Sequence, residues 1–302
     1  MPATLIILNP HAAGGNAGRI WRSIEPYLWN ELGELVVAVT AHPNEVGGHL
    51  NEARAVGITR VISVGGDGTN HTLINALLAH NAATPNLPPM VYGNLPVGTG
   101  RDWARGIGLP YRDPRAAAHQ IAHAPLRPLD IGIIERDGVT DYFLNIASAG
   151  MSSDVVLRVE RARRRRSWTF LQATVASILD FPANPVQVSL DGQPWYDGRT
   201  GLLVVANGTT FGHGLRIAPE ARMDDGLLDV LVIKDVSRWT ILRALRSAYA
   251  GTHLTNPSLQ YAQARHVEVV APGGVGLETD GEPAHGERMS FSLMPAALQV
   301  LA

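Results

Sequence analysis

The sequence predicts an α/β domain with a parallel, doubly wound sheet, followed by a β-rich second domain. Three observations carry that expectation. Up to about residue 125, short apolar runs alternate with helical patterns, as consecutive strand and helix units do. From Arg127 onward the texture changes to apolar runs separated by Asp-Gly turns, which reads as antiparallel hairpins. The 302 residues, 45% of them hydrophobic, can bury one large core or two ordinary ones, and the length favours two. The expected division is residues 1–125 and 126–302, with the apolar segment at about 294–302 packing back on the first domain.

In the first domain, Thr4 to Leu8 reads as a buried strand that ends in Asn9-Pro10 and a turn containing Gly14, Gly15 and Gly18. Asn9 can fasten this turn with its side chain, the glycines permit close approach of a ligand, and Arg19, opening a helix that runs to Trp29, can reach a phosphate. Leu35 to Val39 is a second strand closing on Thr40, and a helix from about Asn44 to Val56 follows.

The third strand, Arg60 to Val64, runs into Gly65-Gly66-Asp67-Gly68-Thr69-Asn70, and the rest of the chain is organised around this stretch. Glycine tolerates positive φ and has no Cβ, so successive amides can face an anion. Thr69 or Asn70 is expected to cap a helix over Thr72 to Leu78, whose dipole favours a phosphate. Asp67 is the odd residue. A carboxylate in an anion nest repels the ligand unless a divalent cation or a proton-donating substrate lies between them; in a plain strand-to-helix turn it would accept backbone hydrogen bonds. A fourth strand, Val91 to Leu95, ends in Pro96-Val97-Gly98-Thr99-Gly100-Arg101-Asp102. Glycine turns after three strands of one sheet place Gly14, Asp67 and Thr99 on one rim, at the carboxyl ends where such folds hold ligands. Farther on, a helix from Asp113 to Ala124 carries His119 and His123 four residues apart; Gln120 stands where a metalloprotease helix has glutamate, so an exposed helix is expected.

The second domain begins with a hairpin, Leu129 to Ile134 and Tyr142 to Ile146, around Asp137-Gly138. Further strands are read at Val186 to Leu190 before Asp191-Gly192, Leu202 to Ala206, Leu227 to Ile233, His266 to Val270 and Met289 to Leu293, with helices at Ser153 to Arg166, Thr169 to Leu179 and Arg238 to Ala250. There is no cysteine, which excludes disulfides, a thiolate nucleophile and a cysteine zinc site. Net charge of −2 gives no reason to expect nucleic acid. No apolar run nears the ~20 residues that span a bilayer, and the beginning of the chain lacks a signal pattern, so a cytoplasmic protein is expected. Lys234 is the only lysine among 25 basic residues, so a Walker-type loop is absent. Any phosphate must be held by glycine amides, helix ends, arginines or a metal.

With Asn9-Pro10, Gly65-Gly66-Asp67-Gly68-Thr69, Pro96-x-Gly98-Thr99-x-x-Asp102, Asp224-Asp225-Gly226-Leu227-Leu228-Asp229 and Asp280-Gly281-Glu282 in this order, nearly the whole chain resembles the diacylglycerol kinase catalytic-domain family. The likeness is closest to the soluble bacterial lipid kinases, with sphingosine and ceramide kinases related and NAD kinases more distant. The resemblance implies a nucleotide domain, a β-sandwich-like domain and an active site in the cleft between them. It implies ATP held by Asn9, Gly14, Gly15, Thr40, Gly65, Gly66, Asp67, Gly68, Thr69 and Thr99. It implies Asp67, Asp102, Asp280 and Glu282 as the carboxylates that organise Mg²⁺ and the acceptor hydroxyl, with Glu282 as general base and Asp67 as its rival. It further implies a structural Mg²⁺ held by the Asp225 carboxylate and the carbonyls of Arg222 and Leu227. Asp280-Gly281 also reads as a plain hairpin turn. Two places depart from the pattern: Arg101 replaces an asparagine, and after Thr69 the usual apolar residue, asparagine or histidine, then glutamate become Asn70, His71 and Thr72.

The implied reaction is phosphorylation of a lipid hydroxyl, most simply that of diacylglycerol. A soluble-acceptor kinase of NAD kinase type and a non-catalytic nucleotide- or lipid-binding homologue are the alternatives. The basic cluster Arg158 to Arg166, next to Trp168 and Phe170, suits docking on an anionic membrane surface, while a solvated helix face is the bland reading. Leu171, Val175 and Ile178 suit either an acyl groove or core. A homodimer is left open.

Overall fold

The computed structural model describes residues 3–162 and 168–302. The chain divides into two compact units, one running to Leu129 and including Ala296–Ala302, the other comprising Asp130–Pro295.

In the first unit, β1 (Thr4–Leu8), α1 (Ala17–Leu32), β2 (Leu35–Val39), α2 (Val46–Ala55), β3 (Arg60–Gly65), α3 (Asp67–Ala83), β4 (Val91–Pro96), α4 (Asp102–Gly106) and α5 (Pro114–His123) follow one another. The strands are parallel in the order β4-β3-β1-β2. The apolar run of β1 and that of β3, broken only by Ser63, are buried, as strands covered on both faces must be. β2, at the edge, leaves Val36, Val37 and Val39 exposed. α1 buries Trp21, Ile24, Leu28 and Leu32, one stripe at helical spacing. The C-terminal residues do more than pack on a core: Val300 pairs in parallel with Tyr92, adding a strand beside β4.

Two expectations about the central turn need correcting. α3 begins at Asp67, five residues before Thr72, because Gly66 takes the extended N-cap conformation and its carbonyl accepts the Asn70 N–H. Thr69 and Asn70 therefore lie inside the helix and cap nothing. Gly65, Gly66 and Gly68 are also none of them left-handed, and at Gly65 a Cβ would strike the Thr69 side chain, so glycine there serves close packing and not a left-handed turn.

The second unit holds most of β5 (Leu126–Arg136), β6 (Val139–Phe143), β7 (Ile146–Gly150), α6 (Met151–Arg161), α7 (Thr169–Asp180), β8 (Asn184–Leu190), β9 (Gln193–Ala206), β10 (Leu228–Lys234), α8 (Arg238–Ala250), β11 (Leu259–Ala264), β12 (Val267–Thr279) and most of β13 (Glu282–Leu301). Its strands run in the order β11-β10-β9-β7-β12-β13, neighbours antiparallel, with β8 against β9 and β12 and β5 against β6 and β13. Alternation along β9 sorts two cores. Leu203 and Val205 face a strand-lined core with Val188, Val230, Val269 and Phe291, while Leu202, Val204 and Ala206 face a second one closed by Ile178 and the inner side of α8. The three Asp-Gly turns, at 137–138, 191–192 and 280–281, each have both residues left-handed, as tight hairpins require.

Three boundaries differ from expectation. α6 ends at Arg161, where Ala162 turns extended, and Arg163 to Arg166 lie outside the described residues. The run Tyr142 to Ile146 is not one strand: it breaks at Leu144 and Asn145 between β6 and β7. β11 and the long extensions of β9, β12 and β13 were not anticipated.

Candidate active site

In the first unit the expected rim forms at the carboxyl ends of β1, β3 and β4. After β1, Asn9 accepts the His11 N–H through Oδ1 at 3.0 Å, fastening the turn as expected. Its Nδ2 donates to the Thr69 hydroxyl at 3.1 Å, tying this turn to the one after β3. Ala13, Gly14 and Gly15 are left-handed in succession, and around Gly14 and Gly15 the space a Cβ would occupy is open. Such a run exposes its backbone to an approaching anion. Thr40, closing β2, is buried, its hydroxyl 3.4 Å from the Leu8 carbonyl; Arg19 and Thr99 are exposed.

The turns after β3 and β4 lock together backbone to backbone. Val97 and Gly98 donate N–H bonds to the Gly65 carbonyl at 3.2 and 3.1 Å. A Cβ on Gly98 would collide with the Gly66 Cα, and a Cβ on Gly65 would strike the Thr69 side chain. Beyond them Gly100 separates two carboxylates: its Cβ would lie 2.5 Å from Asp67 Oδ2 and 3.6 Å from Asp102 Oδ2. Asp67 accepts the N–H groups of Asp102 and Trp103, each at 3.4 Å, so it heads α3 and also steadies the start of α4. Asp102 is buried, with Oδ1 held by Arg105 at 2.6 Å, and the same guanidinium nitrogen donates to the Gly100 carbonyl at 2.8 Å. The result is a pair of fixed acidic groups beside an open glycine turn, a donor set suited to a hard cation.

Beneath this rim lies a buried polar cluster that the sequence reading missed. Ser63 and Asn94 sit side by side in β3 and β4, and with Tyr92 they converge on the Asn70 side chain. Asn94 Nδ2 donates to Ser63 Oγ and Asn70 Oδ1 at 2.8 Å each, and the Tyr92 hydroxyl donates to Asn70 Oδ1 at 2.9 Å. Burial pushes the Tyr92 hydroxyl far above its usual range, so it stays a donor. The cluster pins the first turn of α3 to the sheet.

The acidic hairpin of the second unit joins β12 to β13. Asp280 does not point a free carboxylate outward: it accepts the N–H groups of Leu144, Asn145 and Ile146 at 2.6, 3.0 and 3.1 Å. Those three amides are the break between β6 and β7, so Asp280 explains why that strand is interrupted. Glu278, also missed, is buried and holds the Gly281 N–H at 2.8 Å and the Ser148 hydroxyl at 2.5 Å. The buried Glu278 and the half-buried Asp280 thus rigidify a turn whose next residue, Glu282, is exposed. Nearby in sequence to β10, Asp225 Oδ1 accepts the Leu227 N–H at 3.0 Å and Asp130 that of Gly226 at 2.8 Å. The Arg222 guanidinium turns to Asp224 at 3.4 Å.

Residues 3–134 match the diacylglycerol kinase catalytic domain, and residues 145–302 match the YegS C-terminal NAD kinase beta sandwich-like domain. A diacylglycerol kinase of Mycobacterium tuberculosis is 32% identical over 268 residues, covering 85% of this chain and 83% of that protein. The chain belongs to the diacylglycerol kinase family. It is a lipid kinase of that family, with an α/β domain and a β sandwich-like domain. The protein named probable lipid kinase YegS-like of Chromohalobacter salexigens is 30% identical over 274 residues, 89% of this chain and 84% of its own. Among solved structures, a diacylglycerol kinase from Bacillus anthracis shares the fold with a TM-score of 0.73 at 22% identity, covering 99% of this chain and 96% of the other.

Against the diacylglycerol kinase pattern the two departures now have surroundings. Arg101 is left-handed and folds back, donating to the Gly98 carbonyl at 2.5 Å and the Tyr111 carbonyl at 2.7 Å, so its charge is spent on loop backbone. Thr72, half-buried, lies within α3, one turn past its start. On α6, Arg158 is committed to Asp154 at 2.6 Å and Asp180 at 3.0 Å, with Ser177 also donating to Asp154. That removes Arg158 from the expected basic face. Ile178 is core, whereas Leu171, Trp168 (53% exposed) and Trp239 (68% exposed) face solvent. Among the described residues no helix is long and apolar enough to cross a membrane.

Proposed function

We propose that this lipid kinase transfers the γ-phosphoryl group of ATP, with Mg²⁺, to the free hydroxyl of a diacylglycerol. The observation that carries the proposal is the pairing of Asp67 and Asp102 around Gly100, at the rim where three strands end in glycine turns. Asn9, Gly14, Gly15, Thr40, Gly65, Gly66, Gly68, Thr69 and Thr99 surround the triphosphate with amides and hydroxyls, and the start of α3 adds favourable potential. Asp67 and Asp102 supply the oxygen ligands for the cation, which when bound neutralises the phosphate oxygens. Glu282 takes the acceptor proton as the new O–P bond forms and the bond to the β-phosphate oxygen breaks, releasing ADP; Asp67 is its rival for that role. Asp280 acts as a positioning residue, since its oxygens are occupied by three amides. The Asp225 carboxylate with the carbonyls of Arg222 and Leu227 forms a hard-oxygen set for a structural Mg²⁺.

For the lipid surface, Trp168, Leu171, Trp239 and Tyr249 are exposed, and α8 adds exposed Arg238, Arg243 and Arg246 without any acidic residue. Exposed aromatics with arginines suit an anionic bilayer interface. The test is transfer of label from ATP to diacylglycerol in mixed micelles. Glu282→Gln and Asp67→Asn should each lower turnover at least 100-fold with melting temperatures near that of the parent; unaltered turnover in both refutes the site, and labelled product only with a water-soluble acceptor refutes the substrate.

A further inference from the structure

We propose that Glu31, His119 and His123 form a binding site for Zn²⁺ or a similar borderline divalent metal, separate from the phosphoryl-transfer site. The two histidines lie one turn apart on α5, on one face, with ring centroids 4.4 Å apart. The third ligand comes from a different element, the last turn of α1, which sequence spacing could not reveal. Glu31 Oε2 is 2.7 Å from His123 Nε2, and Glu31 Oε1 is 4.0 Å from His119 Nδ1. One ligand atom from each residue falls within 4.8 Å of the others. A tetrahedral zinc ion with ligands at roughly 2.0–2.2 Å has its donors about 3.4 Å apart, a spacing these atoms bracket.

The chemistry of the set selects the metal. Two imidazoles and one carboxylate suit Zn²⁺, with Co²⁺, Ni²⁺ and Cu²⁺ as competitors, and disfavour Mg²⁺ and Ca²⁺, which take oxygen. The histidine side chains, 62% and 56% exposed, can turn by small rotations, and the carboxylate, 22% exposed, is already anchored. Tyr27, one turn earlier on α1, hydrogen-bonds to Glu31 and orients it, as outer partners of metal ligands do. The fourth position faces solvent. Glu31 lies fourteen residues along α1 from its start beside the first glycine turn, about 20 Å away, so an ion here takes no part in transfer. It would instead staple the end of α1 to the end of α5.

The experiment uses chelator-stripped full-length protein and ZnCl₂ alone. Calorimetric titration of the parent should show one more equivalent of Zn²⁺, at micromolar or tighter Kd, than a His119→Ala/His123→Ala variant. Glu31→Gln should weaken that equivalent at least tenfold while preserving the shape of the site. Zn²⁺ should raise the melting temperature of the parent and not of the double variant, and Mg²⁺ should not substitute. Equal stoichiometry and equal thermal response in parent and double variant would overturn the proposal, as would an unchanged Kd in Glu31→Gln. Kinase turnover of the variants should match the parent.

Discussion

The turn after β1 and the turns after β3 and β4 are all written in glycine, yet the reason differs. In the first, Ala13, Gly14 and Gly15 are left-handed and the space around both glycines is empty. In the others, Gly65, Gly66 and Gly98 have ordinary dihedrals, but a Cβ on Gly98 would meet the Gly66 backbone and one on Gly65 the Thr69 side chain. The first turn is an open cradle that can adapt to a ligand; the second pair is a rigid platform that fixes Asp67 and Asp102. One residue type thus supplies compliance on one side of the rim and stiffness on the other.

Substitutions separate the two. Gly98→Ala should be the most damaging, because its Cβ meets backbone that cannot yield without moving two strand ends; we expect a loss of about 3 kcal/mol in urea unfolding and near-complete loss of turnover. Gly100→Ala presses on the end of the Asp67 side chain, which can swing aside, so stability should change little while kcat falls about 10- to 100-fold. Asn9→Ala removes a side-chain bond joining the two turns and should cost about 1 kcal/mol, with a rise in KM for ATP. Gly14→Ala should be mildest: about 1 kcal/mol of left-handed strain, with kcat retained. If Gly14→Ala proved as damaging as Gly98→Ala in unfolding, the distinction between cradle and platform would collapse.

The sequence made the strands of the first unit legible, since their apolar runs are set off by glycine, proline and short polar residues, and it marked all three Asp-Gly hairpins, since that pair fits the doubly left-handed turn. It misplaced the start of α3. Thr69 and Asn70 are favoured capping residues, but Gly66 already provides the extended residue at that end, and a cap needs position before it needs a side chain. The buried cluster of Ser63, Asn70, Tyr92 and Asn94 left no trace in the pattern, because short polar residues inside apolar strands do not disturb a hydrophobic run. Asp280 was visible as an acid in a turn, while its three amide partners lie about 135 positions earlier in the chain. Glu31 escaped for the same reason, being 92 residues from His123.

The pairing of Val300 with Tyr92 sets an order on biosynthesis. The first sheet to leave the ribosome acquires its outer strand only after the whole second unit has been translated, so it waits with one edge of β4 unpaired. During that interval β4 is the segment most in need of protection from wrong partners, and removing residues 296–302 should harm the part of the protein made first.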